Sequence, residues 1–222
     1  MAHKARPEDI RAVVFDFDGT LAVQTLDFGV MRERAVAALS RFAPVAAVAT
    51  EPMMEELDRV CASLDAATAA KARQATMDAI VEVELEAARH SRLFVPVRPM
   101  LAALRRRDIA CGVITRNIWP AIRMVFPDVD EHFACVLTRD DVEQVKPHPA
   151  HLQKALDIIG CEAGQALMVG DHPMDIQVGK RVGTLTAGVA GGHVPLEKLA
   201  LENPTWLAED VGELMRMIGI MA

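Results

Sequence analysis

The chain lacks an excess of basic charge and lacks long apolar runs. Its 222 residues include 24 Lys and Arg against 31 Asp and Glu, which gives a net charge of −7 at pH 7. This balance argues against a nucleic-acid backbone or an anionic membrane as a partner, although local cations can still bind a phosphate. No stretch is long and apolar enough to span a bilayer, and residues 1–11 contain no signal-like apolar run. We therefore expect a soluble cytoplasmic protein.

Cysteine is also scarce, and its spacing matches no common metal or redox motif. No CxxC pair occurs, and two of the four cysteines lie in apolar strand-like runs; the four are Cys61, Cys111, Cys135 and Cys161. Buried free thiols in a reducing compartment fit this pattern better than disulfides or a zinc site. The chain also contains no internal repeat and no low-complexity tract.

A pair of acids stands at the end of the apolar run 12–15: Asp16 and Asp18 flank Phe17 and precede Gly19. Where a strand opens into a glycine-containing turn, both carboxylates can point to one region beyond the strand end. An ionised Asp16 could then attack phosphorus directly, while Asp18 protonates the leaving oxygen and later activates water. The alternative is an ordinary turn in which Asp and Gly supply only loop chemistry.

Three later segments follow apolar strand-like runs in the same way. The hydroxyl of Thr115 and the backbone N–H groups after it could hold phosphate oxygens. Lys146 stands just before Pro147, so its ammonium can be held near an anion at a helix start; otherwise it is a solvated lysine. Asp171 and Asp175 could bind a metal, although acids four apart more often cap a helix or face water.

Four acids converging on a phosphorylated substrate would repel it unless a cation lay between them. The sequence therefore predicts a divalent metal wherever Asp16, Asp18, Asp171 and Asp175 meet a phosphate. Oxygen ligands favour a hard ion, and a site that also accepts phosphate oxygens and water favours octahedral Mg²⁺.

Taken in order, the four segments resemble the motifs of the haloacid dehalogenase-like hydrolase superfamily, and phosphoglycolate phosphatase-like enzymes are the nearest members. The resemblance implies that Asp16, the backbone carbonyl of Asp18 and Asp171 hold Mg²⁺. Asp175 would be either a direct ligand or a group that orients metal-bound water. It also implies a phosphatase acting on a small phosphorylated metabolite through an aspartyl phosphate, of the phosphoglycolate or sugar phosphate type. The alternatives are a phosphomutase and a non-catalytic binding or regulatory protein.

Two features leave the substrate open. Arg116 and Asn117 follow Thr115 and could contact the substrate's phosphate or a second anionic group, or Arg116 could instead form an ion pair with Asp171. Many phosphoglycolate phosphatase-like chains carry Asp-Ser or Asp-Thr soon after the first motif, whereas this chain has Ala22 to Thr25 there. The protein is expected to be a monomer or a homodimer.

The order of patterns predicts an α/β fold in which a Rossmann-like parallel sheet is interrupted by a helical cap. Residues 1–20 and 96–222 would form the core domain and residues 21–95 the cap. Two cap helices are indicated by apolar residues at helical spacing, and we expect these residues to form the core of the cap. They are Phe28, Met31, Ala35, Leu39 and Phe42 in the first helix, and Met53, Met54, Leu57, Val60, Cys61 and Leu64 in the second. The second helix would start near Thr50-Glu51-Pro52. A third stretch runs from 66 to 92. Residues 95–99, with two prolines, are predicted to be the return linker.

Overall fold

A computed structural model describes residues 7–45 and 53–221 of the chain. The predicted start of the second helix, Thr50-Glu51-Pro52, lies outside these residues. The structure divides into two compact units: one comprises the chain up to Gln24 together with the chain from Ser91 onward, and the other is Thr25–His90.

The first unit is built on a six-stranded parallel sheet with the order β3-β2-β1-β4-β5-β6. The strands are β1 (Ala12–Phe15), β2 (Ala110–Ile114), β3 (Cys135–Leu137), β4 (Ala166–Gly170), β5 (Leu185–Val189) and β6 (Trp206–Ala208). All of their neighbours pair in parallel. The predicted fold class, an α/β Rossmann-like core with an inserted helical segment, is confirmed. The last strand, β6, was not predicted from the sequence.

Strand β1 lies at the centre of the sheet, and its side chains supply both faces of the core. Val13 and Phe15 belong to one apolar cluster and Ala12 and Val14 to another, as the two-residue repeat of a strand requires. All four are completely buried. The carboxyl end of β1 is therefore held in place on both faces and by strands on both sides.

Helices cover both faces of this sheet. α4 (Val97–Arg106) and α9 (Val211–Met217) contribute to the first cluster, while α6 (Pro149–Ile159) and α7 (Pro173–Val182) contribute to the second. The remaining helices of this unit are α5 (Trp119–Val125) and α8 (Leu196–Leu201), with three short 3₁₀ turns at Pro7–Asp9, Val129–Glu131 and Ala163–Gln165.

The predicted linker at residues 95–99 is wrong beyond Pro96. Helix α4 begins at Val97, with Pro96 as its N-cap, and Pro99 lies within the first helical turn. Proline is tolerated there because the first N–H groups of a helix have no intrahelical partner to lose. The two prolines therefore begin a helix instead of preventing one.

In its described residues, 25–45 and 53–90, the second unit contains three helices, α1 (Phe28–Leu39), α2 (Met53–Ala62) and α3 (Ala66–His90). Its buried apolar residues follow the predicted spacing in part: Leu39, Leu57, Val60, Cys61 and Ala72 form its core. Phe28 is exposed and not part of the core, since it opens α1 immediately after the capping residue Asp27. None of the helices in the described part of the chain is long and apolar enough to cross a membrane.

All four cysteines are free thiols. Cys61 and Cys111 are buried, whereas Cys135 and Cys161 are half-buried. Burial raises the pKa of the Cys111 thiol to about 12 and that of Cys135 to about 11. These two thiols are therefore protonated and poorly nucleophilic at neutral pH.

Candidate active site

The side chains predicted for the site meet at the carboxyl edge of the sheet. Asp16 directly follows β1, Thr115 follows β2, and Asp171 follows β4. These strands are neighbours in the sheet, with β1 between the other two. The edge thus gathers residues that are far apart in the sequence, in the crevice where parallel sheets commonly bind ligands.

The turn after β1 is held by its central aromatic residue. Phe17 is completely buried in the core, and its carbonyl accepts the N–H groups of Leu21 and Ala22, both at 2.9 Å. Asp16 on one side of Phe17 is buried, and Asp18 on the other is half-buried. The pair of acids is therefore presented by a turn that is packed into the core.

Lys146 is the cation of the site. Its Nζ forms an ion pair with Asp16 Oδ1 and lies 2.7 Å from Asp175 Oδ1, and the side chain is only 3% exposed. Burial alone would lower the pKa of Lys146, but the Asp16 and Asp175 carboxylates raise it above its usual range. The ammonium therefore stays charged and is fixed between two acids.

Three carboxylates of the site lie near one ammonium, that of Lys146. Asp16, Asp171 and Asp175 each have an oxygen within 4.8 Å of the others, and all three are buried. Burial and then the charges of Asp16 and Asp175 raise the pKa of Asp171 to about 9. Burial also raises the pKa of Asp175, to about 6, against the opposing effect of Lys146. Such a donor set of oxygen atoms with unbalanced negative charge fits a hard divalent cation.

Both carboxylate oxygens of Asp175 accept hydrogen bonds from the protein. One of its oxygens accepts the Lys146 ammonium, and the other accepts the backbone N–H of His172 at 3.1 Å, as part of the capping box that begins α7. The two roles predicted for Asp175, as a metal ligand or as a group that orients metal-bound water, both stay predictions.

Helices α6 and α7 begin in the same way, next to the Lys146 and Asp171 segments. Each has a proline at its first position, Pro149 or Pro173, preceded by a histidine. The Nδ1 atoms of His148 and His172 accept backbone N–H groups of their helices, each at 3.2 Å. Since proline already has a helical φ and needs no N–H there, both helix starts are well defined. These histidines act as caps in the structure.

Asp18 lies outside the cluster of three acids and has a different partner. Its Oδ2 accepts a hydrogen bond from Asn117 Nδ2 at 2.9 Å. The backbone N–H of Asn117 in turn donates to Thr115 Oγ1 at 3.0 Å. The predicted substrate-binding residue Asn117 therefore links the Thr115 hydroxyl to the Asp18 carboxylate.

Arg116 does not pair with Asp171. Its side chain is exposed, and within residues 7–45 and 53–221 no ion pair to it is found. Its carbonyl accepts a long hydrogen bond of 3.5 Å from Arg139 Nη1. Of the predicted roles for Arg116, the ion pair is therefore not seen in the structure.

Three contributors to the site were not predicted from the sequence. Thr20 Oγ1 donates to Asp171 Oδ1 at 3.4 Å. A Cβ atom on Gly192, in the loop after β5, would overlap the Asp171 carboxylate, so this loop closes directly on the acid. His151 in α6 contacts the backbone of Lys146. The Gly191-Gly192 pair after an apolar strand was a usable signal for the loop, whereas nothing in the sequence marked His151.

The chain is similar in sequence to known proteins. The family described as haloacid dehalogenase-like hydrolase matches residues 13–189. The phosphoglycolate phosphatase of Photorhabdus laumondii is 29% identical over 220 residues, which cover 95% of this chain and 93% of that protein. Pyrophosphatase PpaX of Anoxybacillus flavithermus is 37% identical over 119 residues, 53% of this chain and 55% of that protein. This match thus spans about half the length of the pyrophosphatase.

Solved structures share the fold over nearly the whole chain. CbbY from Rhodobacter sphaeroides in complex with phosphate has a TM-score of 0.65 and 21% identity, and covers 92% of this chain and 96% of its own. A HAD hydrolase of family IA, variant 3, from Entamoeba histolytica has a TM-score of 0.68 and 16% identity, and covers 94% and 99%. At these identities the likeness concerns the fold alone.

Proposed function

This chain belongs to the haloacid dehalogenase-like hydrolase family, as the order of its motifs predicted, and we propose that it is a Mg²⁺-dependent phosphatase of a small phosphorylated metabolite. One observation carries the proposal: a buried ammonium, Lys146, is fixed against Asp16 within a cluster of acids, with a second acid, Asp18, two residues away and half-exposed. A nucleophile and a separate proton donor are the two groups that hydrolysis through a phosphoenzyme requires.

In this proposal Asp16 and Asp18 divide the chemistry. An oxygen of Asp16 attacks phosphorus, the bond from phosphorus to the leaving oxygen breaks, and Asp18 gives its proton to that oxygen. Asp18 then takes a proton from a water molecule, which attacks the aspartyl phosphate and releases inorganic phosphate. The hydrogen bond from Asn117 holds the Asp18 carboxyl in place during both transfers. The first step leaves Asp18 deprotonated, as the second step requires, and the second step protonates it again.

Thr115 and Lys146 would stabilise the phosphoryl group. The Thr115 hydroxyl accepts the N–H of Asn117, so its own proton is directed elsewhere and can be donated to a phosphate oxygen. Lys146 brings a positive charge that is already fixed before substrate arrives, which avoids reorganisation during the reaction. Arg116, exposed at the same edge, would contact the substrate's phosphate or a second anionic group.

Asp16, the backbone carbonyl of Asp18 and Asp171 would hold Mg²⁺, and Asp175 would position Lys146 and the loop at His172. The raised pKa of Asp171 supports this assignment, because its charged form lacks a sufficient counter-charge within the protein. When bound, Mg²⁺ would neutralise the carboxylates and the phosphate oxygens and so permit an anion to enter an acidic site. Thr20 and the Gly192 loop restrict the orientation of Asp171.

The substrate proposed is a phosphate monoester of the phosphoglycolate or sugar phosphate type, handled by a cytoplasmic monomer or homodimer. The full-length similarity to a phosphoglycolate phosphatase supports this class. Thr25–His90, the helical unit, is proposed to act as the cap domain predicted from residues 21–95.

Phosphate release from a panel of compounds, measured with Mg²⁺ or EDTA, tests the proposal. The panel contains 2-phosphoglycolate, hexose phosphates and pyrophosphate, and wild type is compared with Asp16→Asn and with the surface control Asp157→Asn. We expect Mg²⁺-dependent release that falls about 10³-fold or more in Asp16→Asn and is unchanged in Asp157→Asn. If Asp16→Asn keeps its activity, Asp16 is not the nucleophile. Full activity in EDTA would exclude the metal, and a bisphosphorylated sugar formed instead of phosphate would indicate a mutase.

A further inference from the structure

His151 is a buried histidine with two directional contacts. It lies in α6 and is completely buried. Its Nδ1 is 3.1 Å from the backbone nitrogen of Lys146, and its Nε2 is 3.2 Å from the carbonyl oxygen of Leu137. An amide N–H can only donate and a carbonyl can only accept, so Nδ1 carries no proton and Nε2 carries one. The ring is therefore neutral and in a single tautomer.

These contacts belong to a longer chain of hydrogen bonds. The Leu137 carbonyl that accepts His151 Nε2 also accepts the backbone N–H of Thr115 at 2.9 Å. The chain therefore runs from Thr115 through Leu137 and His151 to Lys146. It joins the backbones of the two residues to which stabilisation of the phosphoryl group is assigned above.

The Lys146 segment is held from its other side as well. Arg181 Nη1 donates to the carbonyl of Pro147 at 2.9 Å, but this arginine is exposed. His151 provides the buried contact, where no water competes for the Lys146 N–H. Because the Lys146 side chain must meet both Asp16 and Asp175, a small shift of its backbone changes both ion pairs.

A histidine at this position has a cost that an apolar residue would avoid. The buried neighbours on the same helix are apolar and pack against one face of the sheet; they are Leu152, Ala155 and Leu156. Placing an imidazole here is favourable only while both ring nitrogens are hydrogen-bonded. Burial lowers the pKa of His151 to about 4, which is consistent with a neutral ring at pH 7.

We propose that His151 is a positioning residue, whose neutral ring holds the backbone of Lys146 through Nδ1 and thereby sets the contact of the Lys146 ammonium with Asp16. The inference rests on the proposed phosphatase function. It assigns His151 no contact with substrate; the residue acts through the backbone of Lys146.

Two amide variants separate the two ring contacts. In His151→Asn the amide oxygen takes the place of Nδ1 and can still accept the Lys146 N–H. In His151→Gln the amide nitrogen takes the place of Nε2 and reaches Leu137 instead. His151→Leu removes both contacts while keeping an apolar side chain. Leu156→Ala, in the same helix, serves as a control for lost stability alone.

We expect kcat to fall about 10- to 100-fold in His151→Leu and His151→Gln, as for other residues that orient a catalytic group, with a smaller change in KM. His151→Asn should retain most of kcat, and Leu156→Ala should lower the melting temperature without lowering kcat. Equal activity of the Asn and Gln variants, or wild-type kcat in His151→Leu, would overturn the inference.

A second measurement works without turnover. In protein labelled with ¹⁵N-lysine, the Lys146 ammonium signal should shift in His151→Leu and His151→Gln and stay in place in His151→Asn. If wild type hydrolyses nothing in the panel, the proposed function fails, and this signal alone decides on His151. An unshifted Lys146 signal in His151→Leu would overturn the positioning role even in an active phosphatase.

Discussion

Replacing Lys146 by methionine removes the cation on which the carboxylate cluster depends. Methionine keeps a flexible side chain of similar length, so the main change is the loss of the ammonium. Asp16 and Asp175 then lose their shared partner, and three buried acids remain with oxygens within 4.8 Å of one another. We expect the metal-free protein to be clearly destabilised.

The magnitude follows from the burial of the pair. Removing one partner of a buried ion pair costs about 3–5 kcal/mol, because the other charge stays buried without compensation. The carboxylates of this cluster can take up a proton, which favours the lower end, about 3 kcal/mol. For a chain of this size each kcal/mol lowers the melting temperature by about 2–4 °C, so Lys146→Met should melt about 6–12 °C below wild type.

The difference in melting temperature between wild type and Lys146→Met should increase as pH rises. The pKa of Lys146 is raised above the usual 10.5 of a lysine, so its contribution to stability is fully present at every pH below that value. In Lys146→Met, Asp171 and Asp175 lose this counter-charge, and their raised pKa values rise further. The folded variant then binds more protons than its unfolded chain, so its stability falls as pH rises. The melting deficit should be larger at pH 8 than at pH 5.

Thermal melting in EDTA at pH 5, 6.5 and 8 measures this directly. Lys180→Met is the matched control, because Lys180 is exposed on α7 of the same unit. Activity with Mg²⁺ should fall about 10²–10³-fold in Lys146→Met, as when one preorganised group that stabilises transition-state charge is removed. A variant that melts with wild type, or a deficit that is the same at all three pH values, would refute the reasoning.

Two further predictions concern Asp171. Gly192→Ala should lower Mg²⁺-dependent activity more than 10-fold, because the new Cβ would overlap the Asp171 carboxylate. Gly164→Ala, where a Cβ meets nothing within 4 Å, should be neutral, and equal titrations of the two variants with Mg²⁺ would contradict the steric argument. In the metal-free wild type, the raised pKa of Asp171 means that the folded state binds more protons, so the melting temperature should fall as pH rises between about 4 and 9. Saturating Mg²⁺ should remove that fall, and melting curves whose pH dependence is the same with Mg²⁺ and with EDTA would count against the metal site.

The fold was largely predictable because its signals are local. Four of the five later strands could be recognised as short apolar runs before loops, and their alternation with helices implied a parallel sheet. Strand β6 is three residues long, which is too short for periodicity to reveal. The prediction of a linker at 95–99 was wrong beyond Pro96 because proline breaks a helix in its interior but not in its first turn.

Within the candidate site, only the residues that directly follow a strand could be expected from the sequence to lie together. The carboxyl ends of parallel strands share one edge, so Asp16, Thr115 and Asp171 were expected to meet. The hydrogen bond from Asn117 to Asp18 joins residues 99 positions apart and depends on side-chain rotamers. His151 was beyond reach for another reason: its partners are backbone atoms of Lys146 and Leu137, and a sequence does not show where backbone atoms lie.

The central place of β1 also has a consequence for synthesis on the ribosome. This strand emerges before both of its partners, because Ala12 pairs with Ala110 on one side and with Ala166 on the other. At about 5–20 residues per second, its second partner appears on the order of 10–30 s after it. Throughout that interval a fully apolar strand has at least one unsatisfied edge and is open to pairing with other chains. The segment bearing Asp16 is therefore where a nascent chain would most benefit from a chaperone.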